Sequence, residues 1–117
     1  MIRDTVIFVF GSNLLGHHRA GAALDATQYW DAEYEVGIGH TGQAWAIPTK
    51  DEAINTLSLD VINAYVRAFK AYALKHSDLD FQVTAIGCGL AGYKPYHIIP
   101  MFWSSSPNIH LPLEWKS

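Results

Sequence analysis

The sequence predicts an α/β fold, a compact three-layer α/β/α domain around a mostly parallel central sheet, and three observations predict it. Val6-Ile-Phe-Val-Phe10 is an unbroken β-branched and aromatic run closed by Gly11-Ser12-Asn13, the pattern of a central strand covered on both faces. Ile62, Tyr65, Val66, Phe69, Tyr72 and Ala73 recur at the i, i+3, i+4, i+7 spacing of a helix with one apolar face. Strand-like and helix-like stretches alternate, with Gly-rich turns where strands end, as parallel sheets with helices on both faces require.

Taken in order, the first strand is followed by a loop from Leu14 to Arg19 and a helix from Ala20 to Trp30, whose alanines favour helix and whose Gly21 and Ala22 permit close backbone approach. The stretch from Asp31 to Gly42, with glycines at 37, 39 and 42, reads as a loop or weak edge strand. Ala44-Trp-Ala-Ile47 is a short strand stopped by Pro48, with the polar segment from Thr49 to Glu52 after it. Ser58 caps the long helix, with Asp60 in its first turn. Phe81 to Ile86 is a further strand, ending in Gly87-Cys-Gly-Leu-Ala-Gly92. Pro95 suits the first turn of a short helix to about Trp103, and Ile109 to Leu111 forms a final edge strand.

The 117 residues make one domain, 1–117, and a chain of this size buries about 65% of its unfolded surface. Half of the residues are apolar and 16% charged, the net charge is −3, and no stretch is dominated by one sign; this excludes a basic footprint for duplex DNA and an acidic tail. The apolar run at Val6 is five residues, against roughly 20 for a spanning helix, so no membrane segment is expected. With one cysteine, Cys88, and no secretory leader, the chain reads as cytoplasmic. No His or Cys pairing has zinc spacing, so no metal and no cofactor is expected.

Gly87-Cys-Gly-Leu-Ala-Gly92 fits the GxGxxG spacing directly after a strand, where backbone N–H groups can approach a diphosphate. A Rossmann dehydrogenase is disfavoured, because only 25 residues follow Gly92 and no further α/β half fits in them. The alternative to a phosphate loop of another kind is a tight turn needing positive φ. Gly11-Ser12-Asn13 ends the other parallel strand, so both loops fall on the carboxyl edge of the sheet, where α/β folds bind ligands. Asn13 there is suited equally to a ribose hydroxyl and to a turn.

Together, Phe8-Val-Phe-Gly-Ser-Asn-Leu-Leu-Gly16, Ala20-Gly-Ala-Ala23, Ala46-Ile-Pro-Thr-Lys-Asp51 and Val83-Thr-Ala-Ile-Gly-Cys-Gly-Leu-Ala-Gly-Tyr93 resemble the macrodomain family, especially the small macrodomain-like proteins of phages and bacteria. The resemblance covers about Val6 to Phe102. It implies a macrodomain-like sandwich that binds ADP-ribose or an ADP-ribosyl group. It also implies hydrolysis of that group from a modified target or derivative, since many members hydrolyse while others only bind. The implied partners are ADP-ribose or a related nucleotide and an ADP-ribosylated macromolecule.

The implied ligand contacts are Gly11, Ser12 and Asn13, with Asn13 at the distal ribose beside Gly21 and Ala22; Gly87, Cys88, Gly89, Leu90, Ala91, Gly92 and Tyr93 would surround the phosphates. Two departures stand out. Family members usually carry an Asp upstream of the Asn loop that binds the adenine amino group, whereas only twelve residues precede Asn13 here. That leaves the adenine contact absent or rebuilt from Arg3, Asp4 or the loop from Tyr34 to His40. The usual glycine run before the helix is replaced by Gly16-His-His-Arg-Ala-Gly21.

For hydrolysis, the candidates are Asn13, His17 or its neighbour His18, Asp25 and Asp51. Each has a plain alternative: a solvated His-His pair, or a His-His-Arg run, ending at Arg19, that brings positive charge to an anionic ligand; an exposed helix face for Asp25; and a turn or cap for Asp51. Cys88 is either a nucleophile or a small buried hydrophobe. Tyr93, Tyr96 and Trp103 could stack on a base or ribose, while Tyr96 and Trp103, at helical spacing, suit core packing equally. Beyond enzyme and non-catalytic nucleotide-binding module, the four Trp and six Tyr leave room for an interaction protein.

Overall fold

In the computed structural model, which describes residues 5–115, the first apolar run extends through the glycine turn as β1 (Val6–Asn13). The other strands are β2 (Gly39–Thr41), β3 (Ala44–Lys50), β4 (Asp80–Val83) and β5 (Ile109–His110). They form one mixed sheet in the order β2-β3-β1-β4-β5; β1 runs parallel to β3 and β4, β4 parallel to β5, and only β2 is antiparallel. The helices are α1 (Gly21–Tyr29), α2 (Leu59–Lys75) and α3 (Pro95–Ile98), the last continued by a 3-10 turn, Ile99–Phe102; a second 3-10 turn spans Leu113–Trp115. A radius of gyration of 12.9 Å matches the ~13 Å of a folded domain this long.

Side-chain alternation along β1 divides the core between the two faces. Ile7 and Val9 join Phe69, Phe81 and Ile98 in the larger cluster under α2 and α3, while Phe10 and the half-buried Phe8 join Ala26, Ala44 and Ala46 under α1. Phe8 stacks on Trp30 at 5.1 Å. Ile62, Val66, Phe69 and Ala73 of α2 are fully buried, and each of the larger three contributes about 2 kcal/mol by leaving water. Ser58 caps this helix, its hydroxyl accepting the Val61 N–H at 3.3 Å.

Beyond the longer β1, several boundaries differ from the sequence reading. β3 runs through Pro48 instead of stopping there: β2 pairs only as far as Ala46, so the missing N–H of Pro48 leaves no ladder bond on that side unmade. β4 ends at Val83, short of Ile86, because Ile86 N–H bonds back to the Thr84 carbonyl at 2.7 Å and turns the backbone out of the sheet. The helix expected to reach Trp103 breaks into α3 and a 3-10 turn, since Pro100 cannot donate to the fourth carbonyl before it. β5 holds only Ile109 and His110. Among the described residues, no helix is long and apolar enough to cross a membrane.

Candidate functional site

The chain leaves β1 toward β3 on one side and later leaves β4 toward β5 on the other, so the β1 and β4 carboxyl ends form a topological switch point. A cleft of about 730 Å³ opens there. Its floor is Gly11, Ser12 and Asn13 from β1, Thr49 and Lys50 from β3, and Thr84 after β4. One wall is the loop at His17 and Arg19 with the first turn of α1, Gly21 to Ala23; the opposite wall is the Gly87 to Ala91 turn. Ile54 and Glu114 complete the rim.

Both walls present backbone donors. Ala20 caps α1 without a side-chain hydrogen bond, and the first turn holds no acidic residue, so the positive end of the helix faces the cleft unneutralised. Across from it, Cys88, Gly92 and Tyr93 donate their N–H groups to Ala85, Gly89 and Gly87 carbonyls, which curls the loop. The N–H groups of Gly87, Gly89, Leu90 and Ala91 find no acceptor among the described residues. Gly89 has ordinary φ and open space where a Cβ would go, so the fold itself does not demand glycine there.

An irregularity in the β1–β3 register falls between Ser12 and Asn13 and re-aims Asn13 at the strand end. The Asn13 amide donates to the His17 carbonyl at 3.1 Å and accepts the His17 N–H at 3.0 Å. Ser12 is buried, and its hydroxyl donates to the Gly37 carbonyl. The segment from Tyr34 to Gly37 thus lies beneath the 13–19 loop, and the two backbones meet so closely that a Cβ at Gly16 would stand 2.4 Å from Glu35 and Val36 backbone atoms.

Of the four catalytic candidates, the cleft brings together Asn13 and His17 and leaves out the other two. Asp25 is exposed on α1, outside the lining. Asp51 is a turn cap, its carboxylate accepting the Ala53 and Asn55 N–H groups at 2.9 Å each. Of the ligand-contact candidates, Gly11, Ser12, Asn13, Gly21, Ala22, Gly87, Gly89, Leu90 and Ala91 line the cleft. Cys88, Gly92 and Tyr93 instead line a neighbouring depression of about 490 Å³ behind the same turn. Tyr93 donates its hydroxyl to the Leu57 carbonyl at 2.7 Å and so braces the turn from outside.

The two histidines part company. His17 lines the cleft, whereas His18 turns inward, 2% exposed, its ring edge-on to Phe10 and its Nδ1 at 3.2 Å from the Thr27 hydroxyl. The expectation of a solvated pair therefore fails for His18, because successive loop residues point to opposite sides. Burial lowers the His18 pKa from its ordinary 6.5; the Val36 backbone opposes it in part, and His17 adds a smaller lowering. Burial, and then Glu114, push the Cys88 thiol up from 9.0, which keeps it protonated at neutral pH and argues against a nucleophile. Tyr96 and Trp103 are exposed and lie outside the cleft, so they are neither core nor lining.

The sequence reading missed Thr49, Lys50, Ile54, Thr84 and Glu114 as lining residues. Thr49 and Lys50 had a signal, since a third parallel strand must end at the same edge; Glu114, brought round by a late 3-10 turn, had none. Arg3 and Asp4, named for adenine, lie outside the described residues. Arg19 and Lys50 set two cations against the one Glu114 carboxylate, in a chain of net charge −3, and neither cation has a carboxylate partner among the described residues. Among those residues, no three His, Cys, Asp or Glu converge to hold a metal ion. No family model matches the chain, and no curated protein matches it.

Proposed function

We propose that this cleft binds ADP-ribose or the ADP-ribosyl group of a modified macromolecule, on a domain of the three-layer macrodomain-like kind. The observation that carries the reading is the pairing of two donor walls across one cleft: the uncapped first turn of α1 on one side, and the four unpartnered N–H groups between Gly87 and Ala91 on the other. Backbone donors so arranged suit a diphosphate. The cleft holds about 730 Å³, with Asn13 and His17 in its lining as candidates for a ribose, and two cations favour an anion. Titration calorimetry with ADP-ribose, ADP and AMP tests it. Tight ADP-ribose binding that AMP does not reproduce, weakened at least about tenfold by Gly89→Glu, is the expected result. Absence of binding to all three ends the reading.

A second reading, hydrolysis of the ADP-ribosyl bond, is favoured by the placement of His17 in the cleft next to Asn13. Diphosphate binding would fix the anomeric carbon near the His17 imidazole. Time-dependent release of ADP-ribose, lost in His17→Ala with binding retained, supports it. Saturable binding with no turnover of any ADP-ribosylated substrate leaves a binding module.

A further inference from the structure

Arg19 lines the cleft, yet what it touches lies behind it: its Nε donates to the Tyr34 hydroxyl at 3.1 Å. This is its one hydrogen bond among the described residues, and no carboxylate there lies within ion-pair distance. A guanidinium held through Nε has its plane fixed while both Nη groups remain open, the half of the fork that grips two oxygens of a phosphate or carboxylate. An arginine already tethered also loses less side-chain freedom when an anion arrives.

Tyr34 is itself well held. Its ring stacks on His17 with centroids 5.3 Å apart and planes at 4°, and meets the buried His18 edge-on at 6.3 Å. The next residue bonds back to the loop, Glu35 N–H to Gly16 carbonyl at 2.9 Å. One exposed tyrosine therefore connects both polar side chains on the α1 wall, without itself lining the cleft.

We propose that Tyr34 is a positioning residue that presents the Arg19 guanidinium as the anion anchor of the α1 wall, facing the donor turn at Gly87 to Ala91, for a phosphate group of the ligand. The identity of that ligand as ADP-ribose rests on the reading above; the anchor itself does not.

The test is calorimetric titration of inorganic pyrophosphate into the wild type, Tyr34→Phe, Arg19→Ala and the double variant. Phenylalanine keeps the stack on His17 and removes only the acceptor for Arg19. Tyr34→Phe is expected to weaken pyrophosphate binding about three- to tenfold, the worth of one hydrogen bond, and Arg19→Ala about tenfold or more. The double variant should bind no worse than Arg19→Ala, a coupling that a general loosening of the loop would not give. Full binding by Tyr34→Phe, a Tyr34→Phe loss that persists without Arg19, or no pyrophosphate binding by the wild type would each overturn the proposal. ADP-ribose is titrated in parallel. Coupled pyrophosphate binding without ADP-ribose binding removes the ADP-ribose reading and leaves the anchor, whereas ADP-ribose binding untouched by Arg19→Ala does the reverse.

Discussion

The Asn13 carboxamide closes a ring on the backbone of His17, donating to its carbonyl at 3.1 Å and accepting its N–H at 3.0 Å. A residue of the cleft floor is thus also the clasp of the loop that forms the α1 wall. Asn13→Ala removes both bonds and should cost about 1–2 kcal/mol, with the melting temperature falling roughly 4 °C for each. Asn13→Asp keeps the acceptor, loses the donor and sets a negative charge in the cleft. It should melt above Asn13→Ala yet bind ADP-ribose worse. The reverse order in affinity would assign Asn13 to the clasp alone.

Two glycines separate architecture from ligand approach. At Gly16, φ is +71° and a Cβ would sit 2.4 Å from neighbouring backbone, so Gly16→Ala combines left-handed strain with overlap and should cost at least about 3 kcal/mol. At Gly89 the φ is ordinary and the space empty, so Gly89→Ala should change stability by no more than about 0.5 kcal/mol. Urea unfolding measures both. If the Gly87 to Ala91 turn cradles a diphosphate, Gly89→Ala loses affinity while keeping its melting temperature; unchanged affinity would place the diphosphate elsewhere.

The sequence made the sheet and the edge that carries the cleft readable because both follow from strong local signals. The helix at Ile62 to Ala73 crosses over between the strands at Ala44 and Phe81, as parallel strands require, and parallel strands put their following loops on one edge. What was not legible depends on tertiary partners. Pro48 reads as a stop, and only the early end of β2 makes it harmless. Asp51 and His17 look alike as candidates; the turn at Ala53 to Asn55 claims one and leaves the other in the cleft. Tyr34 sits in a segment without periodicity, and its role exists only because Gly16 and Gly37 let that segment pass under the loop.

His18 gives the fold a pH dependence of known sign. Its folded pKa is depressed below 6.5, because its ring is buried, so the unfolded chain binds the proton more readily. The stability this neutral ring supports is fully present above pH 6.5 and is lost as the pH falls from there toward the folded pKa. The slope from this one group can reach at most about 1.4 kcal/mol per pH unit. Urea midpoints of the wild type and His18→Gln at pH 7.5 and 5.0 measure it. The wild type should lose more stability between the two than the variant, and equal losses would mean that His18 charges freely in the folded protein.

Ile54 holds a backbone conformation that β-branched residues avoid, φ +64°, while its side chain is 61% exposed at the cleft rim. The surrounding turn enforces it. Asp51 N–H bonds to the Asn55 carbonyl at 2.8 Å, Ile54 N–H to the Asp51 carbonyl at 3.1 Å, and the Thr56 hydroxyl ties the segment to Ala91 at 3.0 Å. An apolar side chain kept in a strained, solvent-facing position gains nothing for the folded state; if the proposed ligand reaches this rim, the side chain makes its contact only when the cleft is filled. Asn tolerates the left-handed region, so Ile54→Asn should raise stability by about 0.5–1 kcal/mol and weaken ADP-ribose binding about three- to tenfold. Thermal unfolding and calorimetry read the two effects separately. A higher melting temperature with unchanged affinity would put Ile54 outside the ligand footprint, and an unchanged melting temperature would show that the turn absorbs the left-handed residue without cost.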